Sequence, residues 1–128
     1  MAIDLGDLAI TLMATRYDIH KLAPDVIALP DNYFAVLRSP EEVSLVTPQG
    51  VTVTAQESQL GWACFRVEGP LDFSLVGILA RISQCLAEAK LSIFVISSYL
   101  TDYILVREKD ANAARQTLIN CGAKLLQE

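Results

Sequence analysis

The hydrophobic period along residues 62–126 switches back and forth between the strand value and the helix value, and few folds accept the resulting order of elements. Residues 62–68 alternate, with Ala63, Phe65 and Val67 on one face, and read as a strand ended by Gly69-Pro70. Residues 74–89 carry Leu75, Ile78, Leu79, Ile82 and Leu86 at helical spacing, with Arg81, Gln84 and Glu88 off that stripe. Asp72 or Ser74 is placed to cap the first turn. Residues 91–97 and 101–107 are rich in β-branched and aromatic side chains and read as two strands joined by a short turn. Asp110 then opens a second helix with Ala111, Ala114, Leu118 and Cys121 on one face. Gly122 suits the position just past its end, and residues 123–126 make a last strand.

The order is βαββαβ, the split β-α-β arrangement of ferredoxin-like α+β folds, in which an antiparallel sheet carries both helices on one face. Ile93 and Val95 point one way and Phe94 and Ile96 the other, so the second face needs a cover, from the N-terminal half or from another subunit. Residues 1–60 read as a degenerate copy of the unit in 61–128, with strands at 8–13, 33–38 and 43–47 and with residues 19–22 either extending or following the first. Ser39-Pro40-Glu41-Glu42 has capping-box spacing but room for one turn only. An ungapped register sets Tyr33-Phe34-Ala35-Val36 over Ile93-Phe94-Val95-Ile96, Leu45 over Leu105 and Val46 over Val106. Pro24 and Pro30 interrupt residues 21–32, so the first long helix of this copy is shortened or lost. Residues 48–61 are the join between the halves.

A net charge of −5 and a pI near 4.8, with no local run of Lys or Arg, argue against nucleic acid and membrane surfaces as partners. A mean hydropathy of +0.37 is high for a small soluble monomer and predicts that some apolar surface lies in a subunit interface. The N-terminus has Asp4 and Asp7 and no basic residue before its apolar stretch, and no apolar run reaches the ~20 residues that span a bilayer, so the expected location is the cytoplasm. Cys64, Cys85 and Cys121 are odd in number and form no CxxC pair; they read as free thiols in a reducing compartment. His20 is the single histidine, which leaves no basis for a transition-metal site and makes a structural or surface role its expected one, not a catalytic one. Catalytic triads, nucleotide-binding glycine loops and cofactor motifs are all missing from the sequence, so no enzyme activity and no cofactor are expected.

Two segments combine turn formers with polar groups. Residues 69–77 join a strand to a helix, and the free N–H groups of a helix start can hold a carboxylate, with Gly77 allowing close approach. Asp72 and Ser74 equally suit plain capping, the usual role of Asp and Ser at helix starts, and Gly77 equally suits close packing. Ser97, Ser98, Tyr99 and Thr101 supply four hydroxyls and Asp102 a carboxylate at a strand-turn-strand junction, which also suits an ordinary polar hairpin. This turn is expected at the end of the sheet opposite the first loop.

The stretches Gly69-Pro70-Leu71-Asp72-Phe73-Ser74-Leu75-Val76-Gly77-Ile78-Leu79 and residues 93–106 resemble the ACT-domain subfamily of small stand-alone bacterial proteins, and the cytosolic arginine sensors of animal cells are similar. Residues 16–22 and 39–46 resemble the degenerate first unit of that subfamily. The resemblance implies tandem ACT units, a free amino acid bound between units, no catalysis, and a possible protein target of regulation. It carries the ligand set onto Ser74, Val76, Gly77 and Ile78 of the loop and Ser98, Tyr99 and Asp102 of the turn; Asp72, Leu75 and Thr101 lie within the same segments. With two units per chain, a complete interface implies a homodimer. The alternative is a structural or protein-interaction ACT module with no small-molecule ligand.

Overall fold

The computed structural model describes residues 4–68 and 77–128. They divide into two compact units, one of residues 1–14 with 63–128, the other of residues 15–62. The sequence reading divides the chain at residue 60; the observed grouping is discontinuous, with the first residues belonging to the C-terminal unit.

The larger unit contains β1 (Ala9–Leu12), the second part of β5 (Glu57–Val67), α1 (Ile78–Glu88), β6 (Ile93–Ser97), β7 (Asp102–Arg107), α2 (Ala111–Asn120) and β8 (Lys124–Gln127). A short 3-10 turn, Glu108–Asp110, leads into α2. The sheet order is β6-β7-β5-β1-β8. β1 is antiparallel to β5, with Ile10 opposite Val67, and parallel to β8, with Ile10 opposite Leu125. This is the ferredoxin-like α+β order with one strand added, because β1 stands between β5 and β8. Strand alternation fixes which face a residue takes; it does not encode a pairing with the far end of the chain.

Both helices pack on one face of this sheet. Ile10, Leu12, Ala63, Phe65, Val67, Ile104 and Val106 meet Ile82, Cys85 and Leu86 of α1 and Ala111, Ala114 and Leu118 of α2 in a single core. Ile93 and Val95 pack against it, as the strand alternation requires. Each helix ends in a paired-amide cap. Gly122, at φ +97°, donates to Ile119 and Ala123 donates to Leu118; after α1, Lys90 donates to Ala87 and Leu91 to Leu86, although Lys90 lies at φ +61°. Asp110 sits at the α2 N-cap without a side-chain cap bond.

The cysteine expectation is corrected. Cys85 and Cys121 are joined in a disulfide, with 6.7 Å between their Cα atoms, and Cys64 alone is free. Helices side by side on one sheet bring together cysteines that sequence spacing keeps apart.

The smaller unit contains β2 (Tyr17–Leu22), β3 (Ala35–Arg38), β4 (Val43–Pro48) and the first part of β5, in the order β3-β4-β2-β5. It has no helix, as Pro24 and Pro30 predict. Leu22, Val43 and Leu45 form its core, with Val26, Leu29, Val53 and Ala55 packed against them. Ser39-Pro40-Glu41-Glu42 closes the β3–β4 hairpin rather than starting a helix: Ser39 Oγ accepts from the N–H groups of Glu41 and Glu42, each at 3.3 Å.

The β6–β7 turn repeats that chemistry. Ser39 N–H donates to Glu42 and Glu42 N–H to Ser39 Oγ; Ser98 N–H donates to Thr101 and Thr101 N–H to Ser98 Oγ. Ala35 pairs with Val46, as Phe94 pairs with Leu105. The structural repeat therefore sets Ser39 over Ser98 and Val46 over Leu105. The ungapped sequence register is one residue off, a slip that exchanges the two faces of a strand.

Candidate functional site

Residues Asp72, Ser74, Leu75 and Val76 lie outside the described residues. Gly77 stands at the start of α1 at φ +87°, a conformation that favours glycine, and supplies no side-chain cap. Ile78 is the first helical residue and packs against the core.

The 98–101 turn is at the same end of the sheet as the strand-helix loop, which overturns the expectation of opposite ends. Thr101 Oγ1 donates to the carbonyl of Val67 at 2.6 Å, and Val67 is the last residue of β5. The cause is topological. A helical crossover returns the next strand in the direction of the first, so the β5–loop and the β6–turn leave the sheet together.

Within the turn, Ser98 Oγ donates to the Thr101 carbonyl at 2.8 Å and so serves the turn itself, whereas the hydroxyl of the buried Thr101 is spent on Val67. Tyr99 is 80% exposed. Asp102, half-buried, opens β7 opposite Ser97.

Arg81 was not singled out as a site residue in the sequence. A Cβ built on Gly77 would stand 3.7 Å from Arg81 Nη2, so the guanidinium lies over the start of the helix where glycine leaves room. No acidic residue occupies the first turn of α1. A helix start carries partial positive charge, so a guanidinium beside it favours an anion at the same place. The legible signal is the Gly77–Arg81 spacing of four, which puts both residues on one face.

An ion-pair group lies on β5 next to the loop. Thr11 Oγ1 donates to Glu68 Oε1, Arg66 reaches Glu68 at 3.2 Å, and Arg66 reaches Glu128 at 3.6 Å. The Thr11 hydroxyl, and then Arg66, hold the Glu68 carboxyl below its ordinary range. Burial pushes the Cys64 thiol up to about 12, which leaves it protonated and unreactive.

In the smaller unit, His20 is buried with its Nδ1 at 2.7 Å from Ser58 Oγ and its Nε2 at 3.1 Å from Thr47 Oγ1. Burial lowers its pKa, against the opposing effect of Asp18. Hydroxyls on both nitrogens make it a satisfied structural histidine, the role expected from the sequence. A cleft of about 530 Å³ in this unit is lined by Leu22, Val26, Leu29, Val53 and Ala55 and includes none of the candidate residues. Among the described residues no cluster of His, Cys, Asp or Glu has the arrangement of a metal site, and no helix is long and apolar enough to cross a membrane.

Among curated proteins, none matches the chain. A solved structure from Agobacterium tumefaciens is similar, with a TM-score of 0.78 and 28% identity over 94% of this chain and 93% of that one. A Vibrio cholerae protein of unknown function, titled a possible transport protein, has a TM-score of 0.70 and 26% identity over 89% of each chain. The aspartate kinase of Clostridium acetobutylicum shares the fold, with a TM-score of 0.67 and 14% identity over 94% of this chain and 36% of that one. The ACT domain profile matches residues 57–120, half of the chain. The chain belongs to the ACT domain family.

Proposed function

We propose that this chain is a non-catalytic regulatory protein of the cytoplasm that binds a free amino acid at a seam between ACT units in a homodimer and passes the change to a protein target. The reading rests on the resemblance of the sequence to tandem ACT proteins of the sensor subfamily. The observation that carries the reading is the Thr101–Val67 hydrogen bond, which fixes the polar turn to the strand end from which the loop departs. The ACT family and the fold shared with an aspartate kinase support a regulatory role.

The chemistry divides between two groups. Main-chain N–H groups at Gly77 and Ile78, with the Arg81 guanidinium above them, suit an α-carboxylate. Asp102 suits an α-ammonium or a basic side chain. Asp72, Ser74, Leu75 and Val76 are the further loop residues we assign to the ligand, with Tyr99 from the turn. A zwitterion bridging two units shifts the balance between their arrangements, which is the signal.

A melting-temperature screen of the common amino acids at millimolar concentration tests the reading. A ligand at ~100 times its Kd adds about 2.7 kcal/mol, a plain rise. Arg81→Ala weakens the response to every amino acid that gives one, and Asp102→Ala does the same with the fold intact. A flat screen on a stable homodimer overturns ligand binding and leaves a module for assembly. An unchanged response in both variants removes this end of the sheet from the site.

A further inference from the structure

We propose that Cys85 and Cys121 form a reversible clamp between α1 and α2, closed and opened in the folded protein by exchange with small-molecule disulfides and thiols. The inference stands apart from the ligand reading and rests on four observations. First, the two sulfurs are bonded across the two helices that cover one sheet face. Second, their access is unequal: Cys85 is 2% exposed, whereas Cys121 is half-buried at the C-cap of α2, so reagents enter at Cys121.

Third, the fold provides for the open state. Cys85 Sγ lies 3.5 Å from the Thr117 carbonyl, which accepts a thiol proton once the bond is broken. The Cys121 backbone is held without its sulfur, since its carbonyl accepts from Leu5 N–H at 2.7 Å and its own N–H donates to Thr117 at 3.0 Å. The two partners therefore keep their places in either state. Fourth, the remaining cysteine does not compete, because Cys64 is fully buried.

Closure begins when the Cys121 thiolate attacks one sulfur of a small disulfide, forming a mixed disulfide and expelling one thiolate. Cys85 then attacks the Cys121 sulfur and expels the second thiolate. The two protein thiols are oxidised, the reagent disulfide is reduced to two thiols, and the protein's two protons go to the leaving thiolates. Opening is the reverse.

The test uses the full chain in graded mixtures of reduced and oxidised glutathione, acid-quenched, alkylated and weighed intact. Two alkylation sites should disappear together as the mixture becomes oxidising and return as it becomes reducing, with the circular dichroism unchanged. The closed form should melt at least about 5 °C higher. Cys64→Ser should behave like the parent. Cys85→Ser, or Cys85→Ala if the serine variant unfolds, should carry a stable glutathione adduct on Cys121, and Cys121→Ser should carry none. The proposal is overturned if both cysteines stay alkylatable in the most oxidising mixture. It also fails if the bond exchanges only in denaturant, or if the folded Cys85 variants take no adduct.

Discussion

Lys90 is one of two non-glycine residues at positive φ among the described residues, the other being Asp7. Lys90 occupies the left-handed site past α1 that Gly122 occupies past α2, yet it carries a side chain. Lys90→Gly should stabilise the protein by about 0.5 kcal/mol, the relief of a left-handed L-residue less the added freedom of glycine when unfolded. Gly122→Ala should cost about 1–2 kcal/mol, since φ is +97° there and a new Cβ would stand 2.9 Å from Asp4 Oδ1. Urea titration reads both. His20 gives a pH prediction of definite sign. Its folded pKa lies below the ordinary 6.5, so the unfolded chain binds the proton more readily. The histidine's contribution is intact above about pH 6.5 and is lost as pH falls through that value toward the lower folded pKa. His20→Gln should flatten the stability of the chain across that window, measured by urea titration at several pH values.

The elements were largely legible, because strand and helix periods are strong in residues 62–126. Two features at this scale were not. The repeat register was one residue off because it was set by matching apolar side chains, whereas Ser39 and Ser98 show that the turns are the true markers. The end of the sheet at which residues 98–101 lie was misplaced because it depends on the crossover direction, not on any residue in the turn. Thr101→Val should leave the Val67 carbonyl without that donor and cost about 1–3 kcal/mol, while Thr101→Ser should retain most of the stability. If the two variants denature alike, the tether is of no account. Of the candidate site, composition named the loop and the turn as polar segments; it did not name Arg81, whose relevance comes from the space beside Gly77.

At the scale of the whole molecule, composition supplied the acidic charge and the expectation of self-association. Leu100, at 61% exposure, stands beside the exposed Tyr99 in the β6–β7 turn. Sedimentation of the pure chain should give a dimer whose mass is independent of salt if apolar contact holds it. The division of the chain was the least legible feature, because residues 4–14 belong with residues 63–128. A fragment of residues 61–128 should therefore fail to melt cooperatively, and a chain that also retains residues 1–14 should recover the transition.

β1 is central in its sheet, with β5 on one side and β8 on the other. β8 follows β1 by more than a hundred residues and so leaves the ribosome well after it. The nascent chain must therefore carry an apolar strand, with Ile10 and Leu12, that waits for its β8 partner to be made. Assembly of this unit cannot be completed before β8 emerges, and the waiting strand is where a holding chaperone would find its grip.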